Sequence, residues 1–315
     1  MRLITIYLLL FLSCNAAGPK SGRGTTQIKT PLILKTSKPV LLQGAHDVII
    51  SGKEISGGKL PAIHLINCYN IRIVGNRLTK SANVGIELYN CHNITIDSNY
   101  ISEVSTGVYA DKCVGGIVVT NNIFLNMKGP FPRGQFVQFN NVTGPGCLIS
   151  HNKCENVLGK SYPEDAISIY QSSGTLCNPI RVERNLIRGG GPSASGGGIM
   201  LGDGGGQCIR AKNNVLVNPG QYGMAIAGGS HISIIANTIY GKARQFTNVG
   251  LYVNSPAKTS THTVSDNRVL FFNKSGNQNN SWLAPGTPQP IGWSSNVFGA
   301  KLDEALIPAD FISKR

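Results

Sequence analysis

The sequence contains few charged residues, few aromatic residues and no segment of useful length with helical periodicity. Charged side chains make up 14% and aromatic side chains 7% of the 315 residues, whereas the apolar fraction is an ordinary 41% and 38 glycines are present. This apolar fraction excludes a disordered chain. The missing period of 3.6 residues argues against α/β folds. Because no Cys-x-x-Cys pair occurs, the cysteines do not predict a metal site either. The composition favours a turn-rich, all-β domain.

Long apolar runs are also missing outside the N-terminal segment. Residues 1–17 contain one basic residue, ten consecutive residues of an apolar core and then small residues, which together predict a signal peptide. The core is too short to span a bilayer, so we expect no transmembrane segment. Cys14 follows Leu12-Ser13 and resembles a loose bacterial lipoprotein box, so ordinary cleavage and lipid anchoring at Cys14 both stay open. The predicted location is secreted, outer-surface or periplasmic.

A repeat of the form I-x-I-x-x-N-x-I runs through most of the chain. Its short alternating strands predict a single-domain, right-handed parallel β-helix of about nine coils over residues 25–275, since a unit this small cannot bury its own apolar face. An irregular cap is expected over residues 276–315. The asparagines are predicted to stack as a ladder, with spacings between 23 and 33 residues: Asn76, Asn99, Asn122, Asn152, Asn185, Asn214, Asn237 and Asn267.

Four cysteines occupy nearly the same place in the repeat, eight or nine residues before a ladder asparagine. They are Cys68, Cys91, Cys113 and Cys177. We expect them to stack inside the coils. Adjacent coils lie ~4.8 Å apart, within reach of a disulfide, but buried free thiols are favoured.

The long insertions all fall at one turn of the repeat, where they predict loops that wall a groove. The strand beside this turn carries outward residues in two columns. From these columns and loops the predicted substrate-binding residues are Tyr109, Asp111, Gln138, Asn140, Ser168, Glu164 and Gly202. In the segment GGGIMLGDGGG (residues 196–206), Gly202 is expected to face outward as a bare floor beside Tyr170, with Asp203 at its edge.

The chain carries a net charge of +14, from 29 basic and 15 acidic residues. This excess predicts a polyanionic partner, and the groove favours an acidic polysaccharide. Nucleic acid is not expected, because no basic segment is interleaved with aromatic residues. We expect a monomer.

The coil pattern and the export segment resemble the secreted parallel β-helix proteins, which include pectate-lyase-like polysaccharide lyases, alginate epimerases and polygalacturonase-type hydrolases. The resemblance covers roughly residues 30–275 and is specific for fold rather than activity. The segment EDAISI (residues 164–169) is similar to the paired-acid strand of those hydrolases, but their Gly-His-Gly and Arg-Ile-Lys segments are missing here. Regular strand geometry would also separate Asp165 from Asp203 by on the order of 18–20 Å, too far for an acid/base pair unless loops fold back.

β-Elimination on a uronate polymer is the favoured prediction, because it needs only a base and a group that neutralises the carboxylate. Tyr170 is the candidate base. Arg133 and Lys160 are candidates for holding uronates, and Asp165 and Asp203 complete the predicted catalytic set. No cofactor is certain, although Asp111, Glu164 and Asp165 could bind Ca²⁺. A polygalacturonase-type hydrolase, a uronate C5-epimerase and a non-catalytic glycan-binding surface module stay open as alternatives.

Overall fold

The described part of the chain folds as a solenoid of about ten turns, and within it every extended strand pairing is parallel. The computed structural model describes residues 34–130, 133–255 and 261–312; the predicted signal peptide and Cys14 lie outside these residues. Each turn contributes short strands to three faces, here named sheets 1, 2 and 3. The described residues contain no α-helix and only two short 3-10 helices, Trp293–Ser295 and Glu304–Leu306.

Sheet 1 contains eleven strands and follows the ladder asparagines in each turn. Its strands, in spatial order, are Lys35–Ser37, Lys53–Gly58, Arg77–Ser81, Tyr100–Val104, Ile123–Leu125, Lys153–Glu155, Leu186–Arg188, Val215–Val217, Thr238–Gly241, Arg268–Phe271 and Val297–Phe298.

Sheet 2 follows the turn that holds the long insertions. Its strands are Val40–Gln43, Ile63–Ile66, Ile86–Tyr89, Val108–Asp111, Val137–Asn140, Ile167–Ser173, the first part of Ile199–Lys212, Tyr222–Ile226, Val249–Val253 and Ser281–Leu283.

Sheet 3 completes each turn and leads into the ladder. Its strands are Ile49–Ser51, Tyr69–Val74, His92–Asp97, Ile117–Thr120, Leu148–Ser150, Ile180–Glu183, the second part of Ile199–Lys212, Ser230–Ile235 and Thr263–Ser265. The long strand Ile199–Lys212 therefore belongs to both sheets 2 and 3.

The core lies inside the coils, where the apolar positions of the repeat stack from turn to turn. One inward column of sheet 2 is formed by β-branched and aliphatic side chains that are fully buried: Ile63, Ile86, Val108, Val137, Ile167, Ile199, Met224 and Leu251. Each of these side chains is covered by the equivalent side chain of the coil before it and of the coil after it, which removes its apolar surface from water. No helix among the described residues is long and apolar enough to cross a membrane.

The asparagine ladder is formed as predicted. Each buried amide donates from Nδ2 to the Oδ1 of the next asparagine, for example from Asn152 to Asn185 at 2.9 Å and from Asn185 to Asn214 at 2.9 Å. Each Oδ1 also accepts the backbone N–H of the preceding ladder residue, as Asn185 does from Asn152 at 3.1 Å. The ladder extends one step further than the repeat indicates, because Asn267 donates to Asn296 at 2.7 Å.

The cysteine stack is formed in part. Cys68, Cys91 and Cys113 are buried free thiols, and the backbone N–H groups of Cys68 and Cys91 point at the Sγ of the next cysteine at 3.4 Å. Cys177 does not join them: it is exposed and disulfide-bonded. Ser172 occupies the inner position of that turn instead, accepting the N–H of Val142 at 2.9 Å, because the turn carries extra residues before Cys177.

Parallel pairing continues beyond residue 275. Ser281–Leu283 pairs with Val249–Val253, and Val297–Phe298 pairs with Arg268–Phe271. After the last strand, Ile307 and Phe311 pack on Val217 at the outer face of sheet 1. Arg188 holds this final segment, donating to the carbonyl oxygens of Pro308 at 2.8 Å and Ala309 at 2.9 Å. Residues 307–311 therefore lie along the side of the solenoid.

Candidate functional site

The outward face of sheet 2 carries the two predicted columns in register up to Tyr170. Tyr109 pairs with Gln138 and Gln138 with Ser168. In the second column, Asp111 pairs with Asn140 and Asn140 with Tyr170. Since successive strands lie ~4.8 Å apart, these side chains form one continuous surface.

The register changes at the glycine-rich strand, and Gly202 is not at the outward position predicted for it. A β-bulge follows Leu201, so that Asp203 pairs with Tyr170. Gly202 is buried with φ +70°, and a Cβ there would lie 2.5 Å from Cδ1 of Ile232. The bulge thus turns Gly202 inward and places the carboxylate of Asp203 beside Tyr170.

A cavity of about 260 Å³ opens where these columns meet the long loops. We name it the carboxylate cavity. It contains eight of the predicted site residues and one further residue, Gln135; its lining residues are Arg133, Gln135, Gln138, Asn140, Glu164, Asp165, Ser168, Tyr170 and Asp203.

Asp165 is the most unusual titratable group of this cavity. It is 7% exposed, and its Oδ1 accepts hydrogen bonds from the backbone N–H of Gly197 at 3.0 Å and from the hydroxyl of Tyr222. Burial raises the pKa of Asp165 to about 7, even though the hydrogen bonds from Tyr222 and Gly197 act in the opposite direction. Both hydrogen bonds fall on Oδ1, so Oδ2 is left to carry the proton.

Asp203 lies close enough to Asp165 for its charge to raise the pKa of Asp165 further. Both residues line the same cavity, although regular strand geometry would separate them by on the order of 18–20 Å. Asp165 lies two residues before the strand Ile167–Ser173, and the bulge pairs Asp203 with Tyr170. Neither the Asp203 carboxylate nor the Tyr170 hydroxyl makes a hydrogen bond to another described residue, which leaves both groups available to a ligand.

Glu164 is held by the glycine-rich loop. Its two carboxylate oxygens accept from the hydroxyls of Ser193 at 2.7 Å and Ser195 at 2.6 Å. The backbone of Gly196 approaches Glu164 so closely that a Cβ would lie 2.4 Å from the Glu164 carbonyl carbon. Glu164 therefore orders the loop that supplies the N–H of Gly197 to Asp165.

The other end of the cavity carries Arg133, whose guanidinium lies over the ring of Tyr109 at 4.1 Å from the centroid. Beside it, Asn140 donates to a carboxylate oxygen of Asp111 at 2.7 Å. Tyr109 and Asp111 thus support Arg133 and Asn140 from the neighbouring strand.

Lys160 lies elsewhere. It borders a different cavity, next to Tyr100, Arg188 and the C-terminal segment at sheet 1. The predicted role in holding a uronate beside Tyr170 therefore does not fit its position, because the loop directs Lys160 towards sheet 1.

The candidate calcium ligands do not converge. Asp111 pairs with Asn140, Glu164 with two serines, and Asp165 with Tyr222 and Gly197. Within residues 34–130, 133–255 and 261–312, no group of three acidic, histidine or cysteine side chains is arranged to hold a metal ion. These residues do not fit a Ca²⁺ site.

Sequence patterns missed the residues that set the state of Asp165. Tyr222 lies fully buried on the strand Tyr222–Ile226 and reaches Asp165 across the one intervening strand, Ile199–Lys212. Its place in the repeat precedes the regular columns, so the alternation of outward and inward residues does not mark it. Ser193 is not part of a recognisable motif either. The sequence of a glycine-rich loop does not show which of its hydroxyl groups will donate to a carboxylate.

Comparison with known proteins agrees with the fold. A family model described as "right handed beta helix region" matches residues 26–176. The predicted right-handed parallel β-helix, and the resemblance to proteins of that fold, are confirmed. No curated protein matches the chain.

Among solved structures, the chain is similar to the catalytic unit of a thermostable GH87 alpha-1,3-glucanase from Streptomyces thermodiastaticus strain HF3-3. The two share 12% identity with a TM-score of 0.38 over 79% of this chain. The chain spans about half of that catalytic unit, 52% of its length.

Proposed function

We propose that this protein is a glycoside hydrolase whose active site is the carboxylate cavity. The observation that carries the proposal is Asp165, a buried carboxyl group with a pKa of about 7 that shares a cavity with Asp203. Two carboxyl groups whose environments separate their protonation states are the usual requirement for hydrolysing a glycosidic bond.

Asp165 is the proton donor in this proposal. At neutral pH a large fraction of the Asp165 side chains is protonated, and the proton resides on Oδ2 because Oδ1 already accepts two hydrogen bonds. As the bond between the anomeric carbon and the glycosidic oxygen breaks, Oδ2 transfers this proton to the departing oxygen.

Asp203 supports the other half of the reaction. Its carboxylate stabilises the positive charge that develops at the anomeric carbon. A water molecule then supplies its hydroxyl to that carbon, and its remaining proton returns to the carboxyl pair, which restores the protonated Asp165. The net change is addition of water across one glycosidic bond.

The polar lining favours hydrolysis of a sugar chain over β-elimination from a polyuronate. The carboxylate cavity contains three carboxyl groups and a single cation, Arg133, which is engaged with Tyr109. A uronate bound beside these carboxyl groups would be repelled, and it would need a neutralising group that Lys160 is too distant to supply. Gln138, Asn140 and Ser168 instead suit sugar hydroxyls.

A panel of neutral and acidic polysaccharides tests the proposal. Each is incubated with the protein and assayed both for new reducing ends and for the ultraviolet absorbance of an unsaturated uronate. We expect reducing ends without that absorbance. In Asp165→Asn the rate should fall by about 10²–10⁴-fold, the usual contribution of a general acid.

The control is Asp97→Asn, which removes an acidic group on the outer face of sheet 3. It should retain wild-type activity. Unsaturated products, or an unchanged rate in Asp165→Asn, would overturn the assignment.

A further inference from the structure

A second cavity lies beside the carboxylate cavity on the same face of sheet 2. It measures about 380 Å³, and we name it the amide–aromatic cleft. None of the described residues that line it is charged. Its polar and aromatic members are Gln221, Asn248, Asn254, Asn279, Tyr252 and Trp282.

Two aromatic side chains form the floor of this cleft at its outer end. The rings of Tyr252 and Trp282 lie on adjacent strands with centroids 6.2 Å apart, and Trp282 is 47% exposed. A large apolar ring exposed on a sheet edge loses little mobility and gains apolar contact when a flat ligand covers it. The C–H face of a pyranose ring is such a ligand.

The amides surround this floor. The side chains of Asn248 and Asn254 are exposed and make no hydrogen bond to another described residue. Asn279 uses its Nδ2 to bind the carbonyl oxygen of Asn248 at 2.9 Å, which leaves its Oδ1 free to accept. Each amide can both donate and accept, as the hydroxyls of a neutral sugar require.

The cleft and the carboxylate cavity lie along the same outward column of sheet 2. One outward column of sheet 2 leads from Ser168 through Met200 and Ala225 to Tyr252 and Trp282. Three strand spacings separate Ser168 from Tyr252, or about 14 Å, and Met200 and Ala225 between them are buried in a cluster with Tyr222.

Tyr222 connects the two cavities directly. Its hydroxyl binds Asp165, and its ring packs edge-on against Tyr252 with centroids 5.2 Å apart. A ligand that contacts Tyr252 is therefore held in line with the proposed proton donor.

We infer that the amide–aromatic cleft binds an uncharged stretch of a polysaccharide, several sugar residues away from the bond that is cleaved. The inference rests on the proposed function and deepens it, because it makes the substrate class neutral rather than acidic. A uronate that entered this cleft would lose the hydration of its carboxylate. Because no cation is among the described lining residues, the lost hydration would not be compensated, and binding would be unfavourable.

Binding to the full chain carrying Asp165→Asn tests the inference without turnover. The probes are six-residue cello-, laminari-, malto-, manno- and xylo-oligosaccharides, with hexagalacturonic acid as the charged comparison. The sequence holds only two tryptophans, Trp282 and Trp293, so binding at the cleft can be followed by tryptophan fluorescence and checked by calorimetry.

We expect at least one neutral probe to bind and to change the fluorescence. Adding Trp282→Ala should weaken that binding about tenfold or more, the order expected for a lost aromatic contact. Trp282→Phe should retain most of the affinity while abolishing the fluorescence change. Leu176→Ala, which truncates another exposed apolar side chain, should change neither.

Three results would overturn the inference: binding of hexagalacturonic acid alone, no binding of any neutral probe at millimolar concentration, or neutral binding unaffected by Trp282→Ala. Failure of the proposed function is separable. If wild-type protein releases no reducing ends while Trp282-dependent binding persists, the cleft stands without the hydrolase. If it cleaves and Trp282→Ala leaves both KM and product lengths unchanged, the hydrolase stands without the cleft.

Discussion

Asp165 is buried and has a raised pKa, and neither property usually stabilises a folded protein. The fold buries a carboxyl group and gives it two donors on one oxygen, and no cation among the described residues forms an ion pair with it; the net result is a pKa of about 7. The unfolded chain would ionise the same group near its ordinary value of 3.8. Such a conflict is typical of functional sites, where an unfavourable environment is maintained by the surrounding structure.

Replacing Asp165 by Asn should stabilise the protein at neutral and alkaline pH. Because the folded-state pKa is raised, the stabilising contribution of protonated Asp165 is full below pH 4 and is lost as pH rises through 7. Asparagine does not ionise and can still accept from Tyr222 and Gly197. The free energy of unfolding of the variant relative to wild type should therefore rise between pH 4 and 7, by up to about 1.4 kcal/mol per pH unit.

Urea denaturation at several pH values measures this difference. Asp97→Asn supplies the comparison, because the pKa of Asp97 is lowered, chiefly by hydrogen bonds from Asn121, Thr120 and Ser98 acting against burial. That variant should lose stability relative to wild type as pH rises through the acid range. A difference for Asp165→Asn that is independent of pH would show that Asp165 does not hold its proton.

Tyr222→Phe should move the alkaline limb of the pH–activity profile upward. The Tyr222 hydroxyl donates to Asp165 and so lowers the pKa of Asp165; without it, Asp165 keeps its proton to higher pH. The ring packing against Tyr252 is retained in the variant. Tyr240→Phe on sheet 1 is the matched control, and an unchanged limb in Tyr222→Phe would mean that Asp165 does not set it.

For individual residues, the sequence predicted position better than chemical role. The repeat put Gln138, Asn140 and Tyr170 on one face, and the structure places them together. Protonation of Asp165 could not be predicted, since it depends on burial by loops of irregular length. The position of Asp203 depends on a β-bulge. In a stretch with many glycines, the sequence does not show at which residue the bulge occurs.

The asparagine ladder is the element most directly encoded by the repeat. Asn185→Ala should lower the free energy of unfolding by about 3–5 kcal/mol, because it removes the acceptor of the Asn152 backbone N–H, one of the two acceptors of the Asn152 amide and the amide donor to the carbonyl of Ile149, all in the core. Denaturant unfolding measures this loss. Asn296→Ala at the end of the ladder, where the amide is only partly buried, should cost less than half as much; equal losses would contradict a cooperative ladder.

The glycine-rich strand Ile199–Lys212 contains a β-bulge at Gly202, and this bulge requires a positive φ at that residue. Gly202→Ala should destabilise the protein, because the φ of +70° disfavours a side chain and the new Cβ would meet Ile232 and the backbone of Gly228. We expect lower thermal stability with little change in ligand affinity. Gly205→Ala, whose φ is also positive but whose Cβ would meet nothing within 4 Å, should cost less.

Strands were predictable because a period of two with a fixed asparagine recurs in each coil. The last coil was harder to predict. Its sequence contains only Asn296 and the short strand Val297–Phe298, and this incomplete copy of the repeat could not be recognised without its neighbouring strands. Cys177 was not predictable either: its spacing to Asn185 matched the pattern, but extra residues before it place Ser172 in the stack instead.

For the whole molecule, net charge and site chemistry indicate different partners. The chain carries +14, whereas the two cavities on sheet 2 hold three carboxyl groups, one arginine and a set of amides. A neutral ligand in these cavities makes contacts that salt hardly screens. Its dissociation constant in calorimetry should therefore change less than about twofold between 50 mM and 500 mM salt.

Adsorption of polyanions through the basic surface would behave differently. It should weaken steeply over the same range of salt, because the charges involved are exposed. A strong salt dependence for the neutral oligosaccharide would mean that the ligand lies on the basic surface and not in the cavities.

The origin of the oxygen in the product tests the central proposal most directly. Hydrolysis breaks the bond at the anomeric carbon and adds a solvent oxygen there, whereas β-elimination keeps the original oxygen and adds no water. Short digestions in ¹⁸O-water, read by mass spectrometry, should therefore place one heavy oxygen on each new reducing end, at a rate that collapses in Asp165→Asn. Products without the heavy oxygen, carrying a double bond instead, would contradict a glycoside hydrolase.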